Sequence, residues 1–211
     1  MNEIFAIVKE KFGMDNTQQM QDERFTLRNA RYLAADYMRR AVREGDTVID
    51  ATMGNGKDTL FLCELAGENG HVYAFDVQAE AVERTRERVA EAGYAQRTTL
   101  ILAGHETMAE HVKEPVQAVM FNLGWLPGAQ HIVTTQTETT LTAVRAALDL
   151  IAPGGIVTVC VYPGHKEGAR ELHALRNLAA GLDVRRYNVL YHHFVNASVQ
   201  TPQLILIQKN K

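Results

Sequence analysis

The sequence lacks several features that mark whole classes of protein. It has two cysteines in 211 residues, Cys63 and Cys160, and both lie in apolar segments. This favours buried free thiols over a disulfide framework or a cysteine metal site. No apolar run approaches the length that spans a membrane, and the first residues carry no secretion signal. We therefore expect a cytoplasmic protein with no membrane partner.

Two catalytic patterns are also missing. His131, His165, His192 and His193 follow no zinc-binding spacing, and the chain contains no G-x-S-x-G elbow. We therefore expect neither a metal site nor a Ser-His-Asp hydrolase. A net charge of -3, from 22 basic and 25 acidic residues, excludes a broadly basic protein that coats nucleic acid. It leaves room for a local basic patch that docks a folded RNA.

The order of the elements predicts the fold. The chain is long enough for one domain with a sizeable core, and strands alternate with helices until two final strands follow each other. This favours a doubly wound α/β fold with a mostly parallel seven-stranded sheet and an antiparallel last strand. The expected strands are residues 47–50, 71–76, 98–103, 116–121, 156–162, 184–195 and 204–208, and the expected helices are 24–44, 58–66, 79–92, 137–151 and 168–181.

Residues 1–21 stand apart as an N-terminal helical extension and linker, before a domain at residues 22–211. Ile4, Phe5, Val8 and Phe12 share one helical face. This face suits a docking helix for a partner or a second subunit, which makes a homodimer one expectation. A short helix that caps the same domain is the alternative.

The chain is organised around residues 48–62, which read VIDATMGNGKDTLFL. A buried strand, a glycine turn and a helix start make a nucleotide-type binding corner. Asp76 ends the next strand, where a carboxylate commonly binds ribose hydroxyls. A dinucleotide fingerprint would need a small residue at Thr59, and Asp50 would repel a pyrophosphate. The cationic S-adenosylmethionine suits the acidic turn better, although a dinucleotide or a nucleotide-free domain stays open.

The loops after strands one, two, four and five should meet at one edge of the sheet. Many amine methyltransferases end the fourth strand in Asn-Pro-Pro-aromatic, which holds a nitrogen nucleophile. In this chain Asn122 occupies the asparagine position of that motif and Trp125 occupies the aromatic position. The alternative is that Trp125 is a core residue that covers the end of the sheet. For the arginines of helix 24–44 two interpretations are open: they bind the phosphates of a nucleic acid, or they form a solvent-exposed surface.

Six segments occur together and in order: DATMGNGKDTLFL, HVYAFDVQ, GHE, FNLGWLPG, HIVTT and YPGH, with a late N-x-x-x-x-x-P at residues 196–202. The chain resembles the small bacterial rRNA methylase family, over roughly residues 24–208. Members of this family include the methyltransferase for 5-aminomethyl-2-thiouridine at the tRNA wobble position. Lys57, Trp125 and Pro163 depart from the His, Tyr and His usual at these places.

The resemblance implies a class I, Rossmann-like methyltransferase with S-adenosyl-L-methionine as donor and an amine in the tRNA anticodon loop as acceptor. An rRNA or small-amine methyltransferase and a non-catalytic S-adenosylmethionine-binding protein remain alternatives. The predicted catalytic residues are Asn122, Tyr162, His165 and His131. The predicted cofactor residues are Asp50, Thr52, Gly54, Asn55, Gly56, Asp58, Thr59, Asp76, Val77, Gln78, Gly104, His105, Glu106, Asn122 and Leu123. The predicted substrate contacts are Trp125, Leu126, Pro127, Gly128, Arg28 and Arg31.

Overall fold

One seven-stranded sheet forms the centre of the computed structural model, which describes residues 29–124 and 134–211. The strands are β1 (Thr47–Asp50), β2 (His71–Asp76), β3 (Thr98–Leu102), β4 (Val116–Asn122), β5 (Ile151–Val161), β6 (Tyr187–His192) and β7 (Gln203–Lys209). The helices are α1 (Ala30–Ala41), α2 (Lys57–Ala66), α3 (Ala79–Glu91), α4 (Met108–His111), α5 (Thr137–Leu150) and α6 (Lys166–Ala180). Within these ranges, no helix is long and apolar enough to cross a bilayer.

The strand order is β3-β2-β1-β4-β5-β7-β6. Strands β1 to β5 pair in parallel, and β7 is antiparallel to both β5 and β6. The predicted doubly wound sheet and its antiparallel last strand are therefore confirmed. The chain reverses its direction of winding between β1 and β4, and ligands bind at such switch points, outside the carboxyl ends of the strands.

Both faces of the sheet are covered. Phe121 of β4 packs in a core with α4, α5 and α6, whereas its neighbour Met120 packs in a second core with α1 and α2. Successive strand residues point to opposite faces, so a continuous apolar strand is buried on both sides. Cys63 and Cys160 are buried and free, as the sequence predicts.

Several boundaries differ from the sequence prediction. Strand β5 begins at Ile151 rather than Ile156, because a register shift opposite Val116 and Ala118 accommodates the extra residues around Gly154. Helix α1 ends at Ala41 rather than residue 44, since Val42 is already extended. Strand β6 is shorter than residues 184–195, because its partner β7 pairs only with Tyr187 to His192. The predicted extension at residues 1–21 lies outside the described residues.

Candidate active site

The loop after β1 is organised around a buried carboxylate. Asp50 accepts hydrogen bonds from the Thr59 hydroxyl at 2.7 Å and the Thr52 backbone N–H at 3.1 Å. The side chain is only 1% exposed, and burial, followed by the negative charge of Asp58, raises the pKa of Asp50 to about 7. Asp50 and Thr59 therefore hold the loop from inside, and the cofactor contacts expected of them stay a prediction.

The glycine turn brings this loop against the end of β2. Gly54 and Gly56 both have positive φ, at 50° and 74°, which favours residues without a Cβ. A Cβ on Gly56 would lie 2.9 Å from the Thr85 hydroxyl oxygen of α3. Gly56 therefore permits the close approach of the turn to α3, and the cofactor contact expected of it stays a prediction. Gly54 donates its N–H to Asp76 at 3.0 Å.

Asp76 lies at the carboxyl end of β2, where backbone N–H groups donate hydrogen bonds to its carboxylate. One oxygen accepts from Gly54 and the other from the Gln78 N–H at 2.9 Å. Burial raises the pKa of this carboxyl, and the N–H donors of Gln78, Gly54 and Val77 oppose that rise. Each carboxylate oxygen has a further lone pair, so Asp76 can still accept from ligand hydroxyls.

A cavity of about 610 Å³ opens at this edge of the sheet, within the usual range for small-molecule sites. It brings together most of the predicted cofactor residues. Those that line it are Thr52, Gly54, Asn55, Asp58, Asp76, Val77, Gln78, Gly104, His105, Glu106, Asn122 and Leu123. The other three predicted cofactor residues, Asp50, Gly56 and Thr59, lie outside this lining.

His105 forms part of the cavity wall after β3. Its Nδ1 lies 3.2 Å from the Ala51 carbonyl oxygen, and because a carbonyl only accepts, Nδ1 carries the hydrogen. Burial lowers the pKa of His105, which favours the neutral ring. The ring meets Phe121 edge-on. Its Nε2 is consequently an acceptor.

Asn122 ends β4 and joins a polar network with two helices. Its Nδ2 donates to Asp58 of α2 at 3.1 Å, and Asp58 accepts from Arg31 of α1 at 2.5 Å. Asn122 Oδ1 is buried and has no hydrogen-bond partner among residues 29–124 and 134–211. Such orphaned acceptors are rare in folded proteins and often mark a functional position.

Tyr162 follows β5 and lines the same cavity. Burial is the main cause that raises its pKa to about 12, and a hydrogen bond donated by the Asn122 NH₂ group acts in the opposite direction. The phenol therefore stays protonated near neutral pH. This favours a hydrogen-bonding role for Tyr162 over the removal of a proton.

His165 has a local structural role. Its Nδ1 accepts the N–H of Gly168 at 3.2 Å and caps the start of α6. It is not part of the cavity lining. The predicted residues Arg28, Trp125, Leu126, Pro127, Gly128 and His131 lie outside the described residues, and their roles stay predictions.

The sequence reasoning missed the far wall of the cavity, formed by Thr134, Thr135, Gln136 and Thr139. Glu171 of α6 accepts hydroxyl bonds from Thr135 at 3.0 Å and Thr140 at 2.7 Å. Thr134 and Thr135 end the HIVTT segment of the family resemblance, and the threonine-rich run before α5 was a second signal, since threonines favour helix starts. Lys57, Phe75 and Ala103 also line the cavity without having been predicted.

Comparison with known proteins places the chain in a family. The profile of the family described as "Putative rRNA methylase" matches residues 72–208. The "tRNA (mnm(5)s(2)U34)-methyltransferase, chloroplastic" of Arabidopsis thaliana is 36% identical over 180 residues, or 81% of this chain. The chain spans 65% of that relative's length, just under two thirds.

Two crystal structures have similar folds. A Clostridium thermocellum protein described as an rRNA-methylase is 40% identical, with a TM-score of 0.85, over 88% of this chain and 100% of its own. A Streptococcus mutans protein described as a methyltransferase, in complex with S-adenosylhomocysteine, is 36% identical, with a TM-score of 0.79, over 87% of this chain and 99% of its own. The expected class I methyltransferase fold is confirmed, and the chain belongs to the rRNA methylase family.

Proposed function

We propose that the protein is an S-adenosylmethionine-dependent methyltransferase. The proposed acceptor is the aminomethyl group of 5-aminomethyl-2-thiouridine at the tRNA wobble position, and the product is 5-methylaminomethyl-2-thiouridine. One observation carries the proposal: the cavity contains both the Asp76 carboxylate at the end of β2 and Asn122, whose buried side-chain oxygen has no hydrogen-bond partner among the described residues. The named activity of the Arabidopsis thaliana relative supports the choice of tRNA.

The cavity fits the donor in size and in chemistry. Asp76 would accept the ribose hydroxyls, and the apolar side chains of Phe75, Val77 and Ala103 would pack against the adenine ring. His105, an acceptor at Nε2, suits the amino group of that ring. When bound, S-adenosylmethionine would supply an electrophilic methyl group, and the electron pair of the broken C–S bond would stay on sulfur.

Asn122 is the residue best suited to receive the acceptor amine. Its Oδ1 would accept a hydrogen bond from an amine N–H and so aim the nitrogen lone pair at the methyl group. The amine must be unprotonated, because only then is this lone pair free to form the new N–C bond. An amide oxygen carries no charge, so it does not hold the amine as an ammonium. Transfer first gives a methylated ammonium ion, which becomes the neutral secondary amine when it releases one proton to water.

An acidic protein needs local contacts to bind RNA. Arg40 and Arg43 of the α1 region are exposed, and Lys57 lies at the cavity, so these side chains are available to phosphates. Arg31 and Arg185 are already paired with Asp58 and Asp183. A wobble base lies in an unpaired loop and costs little to extract into a pocket.

The direct test uses purified protein, labelled S-adenosylmethionine and tRNA from cells that lack this methyl group. Digestion to nucleosides should recover the label on the side-chain nitrogen of the wobble uridine. Label found only in rRNA, or on a ring carbon, would refute the proposed acceptor. Tight cofactor binding with no transfer to any RNA would favour a non-catalytic binding protein.

A further inference from the structure

The ion pair between Arg31 and Asp58 joins α1 and α2 at the cavity. Asp58 Oδ1 accepts from Arg31 Nη2 at 2.5 Å and Nε at 3.2 Å, while Oδ2 accepts from Asn122 Nδ2 at 3.1 Å. The Asp58 side chain is 13% exposed and that of Arg31 is 42% exposed. The carboxylate therefore contacts a cation on one side and a neutral amide on the other.

The chemistry of these groups decides which way the Asn122 amide points. An ionised carboxylate only accepts hydrogen bonds, whereas a carboxamide has one donor end and one acceptor end. The NH₂ end of Asn122 must therefore face Asp58. The Asn122 oxygen is then forced to the other side, where it is buried without a partner among the described residues.

Arg31 has two effects on this arrangement. Its guanidinium donates two hydrogen bonds to Asp58 Oδ1, which leaves Oδ2 to accept from the Asn122 amide. It also cancels the carboxylate charge. An uncancelled carboxylate near the acceptor amine would stabilise the unreactive ammonium form.

We propose that Asp58, paired with Arg31, is a positioning residue that fixes the orientation of the Asn122 carboxamide, so that the site accepts an N–H group. The site thereby selects acceptors that donate a hydrogen bond, such as amines. This inference deepens the proposed function and rests on it. It gives Asp58 and Arg31 a role different from the direct cofactor and substrate contacts expected from the sequence.

The orientation itself can be tested without activity, by NMR of the full-length protein. The Asn122 side-chain amide signal is assigned by its loss in Asn122→Ala. A hydrogen bond to a carboxylate should shift one of its two protons downfield and slow its exchange with water. Asp58→Asn should abolish both effects, whereas Asp36→Asn, a matched change at a surface ion pair with Arg39, should leave them. An Asn122 signal that is the same in wild type and Asp58→Asn would overturn the inference.

Kinetics then test whether the orientation matters for transfer. Asp58→Asn should lower kcat about tenfold or more, the effect of losing one positioning hydrogen bond, with the KM for cofactor little changed. In an Asn122→Ala background the same substitution should have almost no further effect, because the group it orients is gone. An equal loss in both backgrounds would show that Asp58 acts independently of Asn122 and would contradict the inference.

The two proposals fail in different ways. If the wild-type protein transfers no methyl group to the tRNA amine, the proposed function is wrong even when the NMR result is as expected. If transfer occurs but the Asn122 amide is indifferent to Asp58, the function stands and the positioning role is wrong.

Discussion

The backbone N–H of Gly54 donates to the carboxylate of Asp76 over 3.0 Å, so the glycine turn after β1 is tied to the end of β2. This contact makes one binding corner from two loops that are 22 residues apart in the sequence. Asp76 therefore holds the turn, and we propose that its remaining lone pairs accept hydrogen bonds from the cofactor.

Asp76→Ala should weaken the binding of S-adenosylmethionine. Hydrogen bonds to a charged acceptor contribute roughly 1.5–3 kcal/mol, which corresponds to about a ten- to hundredfold loss of affinity. Calorimetry with the wild-type and variant proteins measures this directly, and Asp76→Asn, which keeps one acceptor oxygen, should lose less. Unchanged affinity in a folded Asp76→Ala protein would remove Asp76 from the cofactor site.

Asn122→Ala should abolish most of the turnover while it preserves cofactor binding. The substitution removes the oxygen that we propose to receive the amine and leaves the ribose corner around Asp76 intact. Parallel measurement of kcat and of S-adenosylhomocysteine affinity separates the two effects. An equal loss of both quantities would identify Asn122 as a cofactor ligand or a structural residue.

Asp50 should make the stability of the protein depend on pH. Its folded-state pKa of about 7 lies above its ordinary value of 3.8, so the folded protein binds more protons between these two pH values. The free energy of unfolding should therefore be highest below pH 4 as far as this group is concerned, and should fall as the pH rises towards 7, by up to about 1.4 kcal/mol per pH unit.

Asp50→Asn isolates this contribution from those of other groups. The amide can still accept from the Thr52 N–H and can donate to the Thr59 oxygen, so both contacts of Asp50 have a replacement. Urea unfolding at pH 5 and pH 8 should show the variant gaining stability relative to wild type at the higher pH. A difference that is the same at both pH values would mean that Asp50 is ionised throughout.

Glu171 should be needed for the far wall of the cavity. It is 1% exposed and accepts from Thr135 and Thr140, while Thr135 accepts the N–H of Gly124 at 3.1 Å. Glu171→Ala leaves the buried Thr140 hydroxyl and the half-buried Thr135 hydroxyl without this acceptor, at a cost of about 1–3 kcal/mol for the buried one. The melting temperature should fall clearly in Glu171→Ala and much less in Glu171→Gln, which keeps a hydrogen-bonding side chain. Equal melting temperatures for wild type and Glu171→Ala would contradict this role.

The fold was predictable because its signals are local. Val48 and Ile49 before the glycine turn, and the alternation of strands with helices, indicate a parallel sheet without knowledge of any tertiary contact. The boundaries of β5 and β6 were not predictable, because they depend on a register shift and on the length of the partner strand β7.

The sequence predicted which residues would line the site better than it predicted what each side chain does there. Asp76 and Asn122 are the last residues of strands that end at the same edge of the sheet, and both line the cavity. The sequence shows Asp50 as an acid in the turn, but its inward orientation depends on Thr59, nine residues later. The pairing of Arg31 with Asp58 brings two helices together and has no signature in the spacing of the residues.

Mass spectrometry of tRNA nucleosides from a strain that lacks this protein tests the central claim most directly. The account predicts that 5-methylaminomethyl-2-thiouridine disappears and that 5-aminomethyl-2-thiouridine accumulates. Wild-type protein supplied in trans should restore the methylated nucleoside, and Asn122→Ala should not. An unchanged level of the methylated nucleoside in the deletion strain, in the absence of a second enzyme for the same step, would contradict the proposed function.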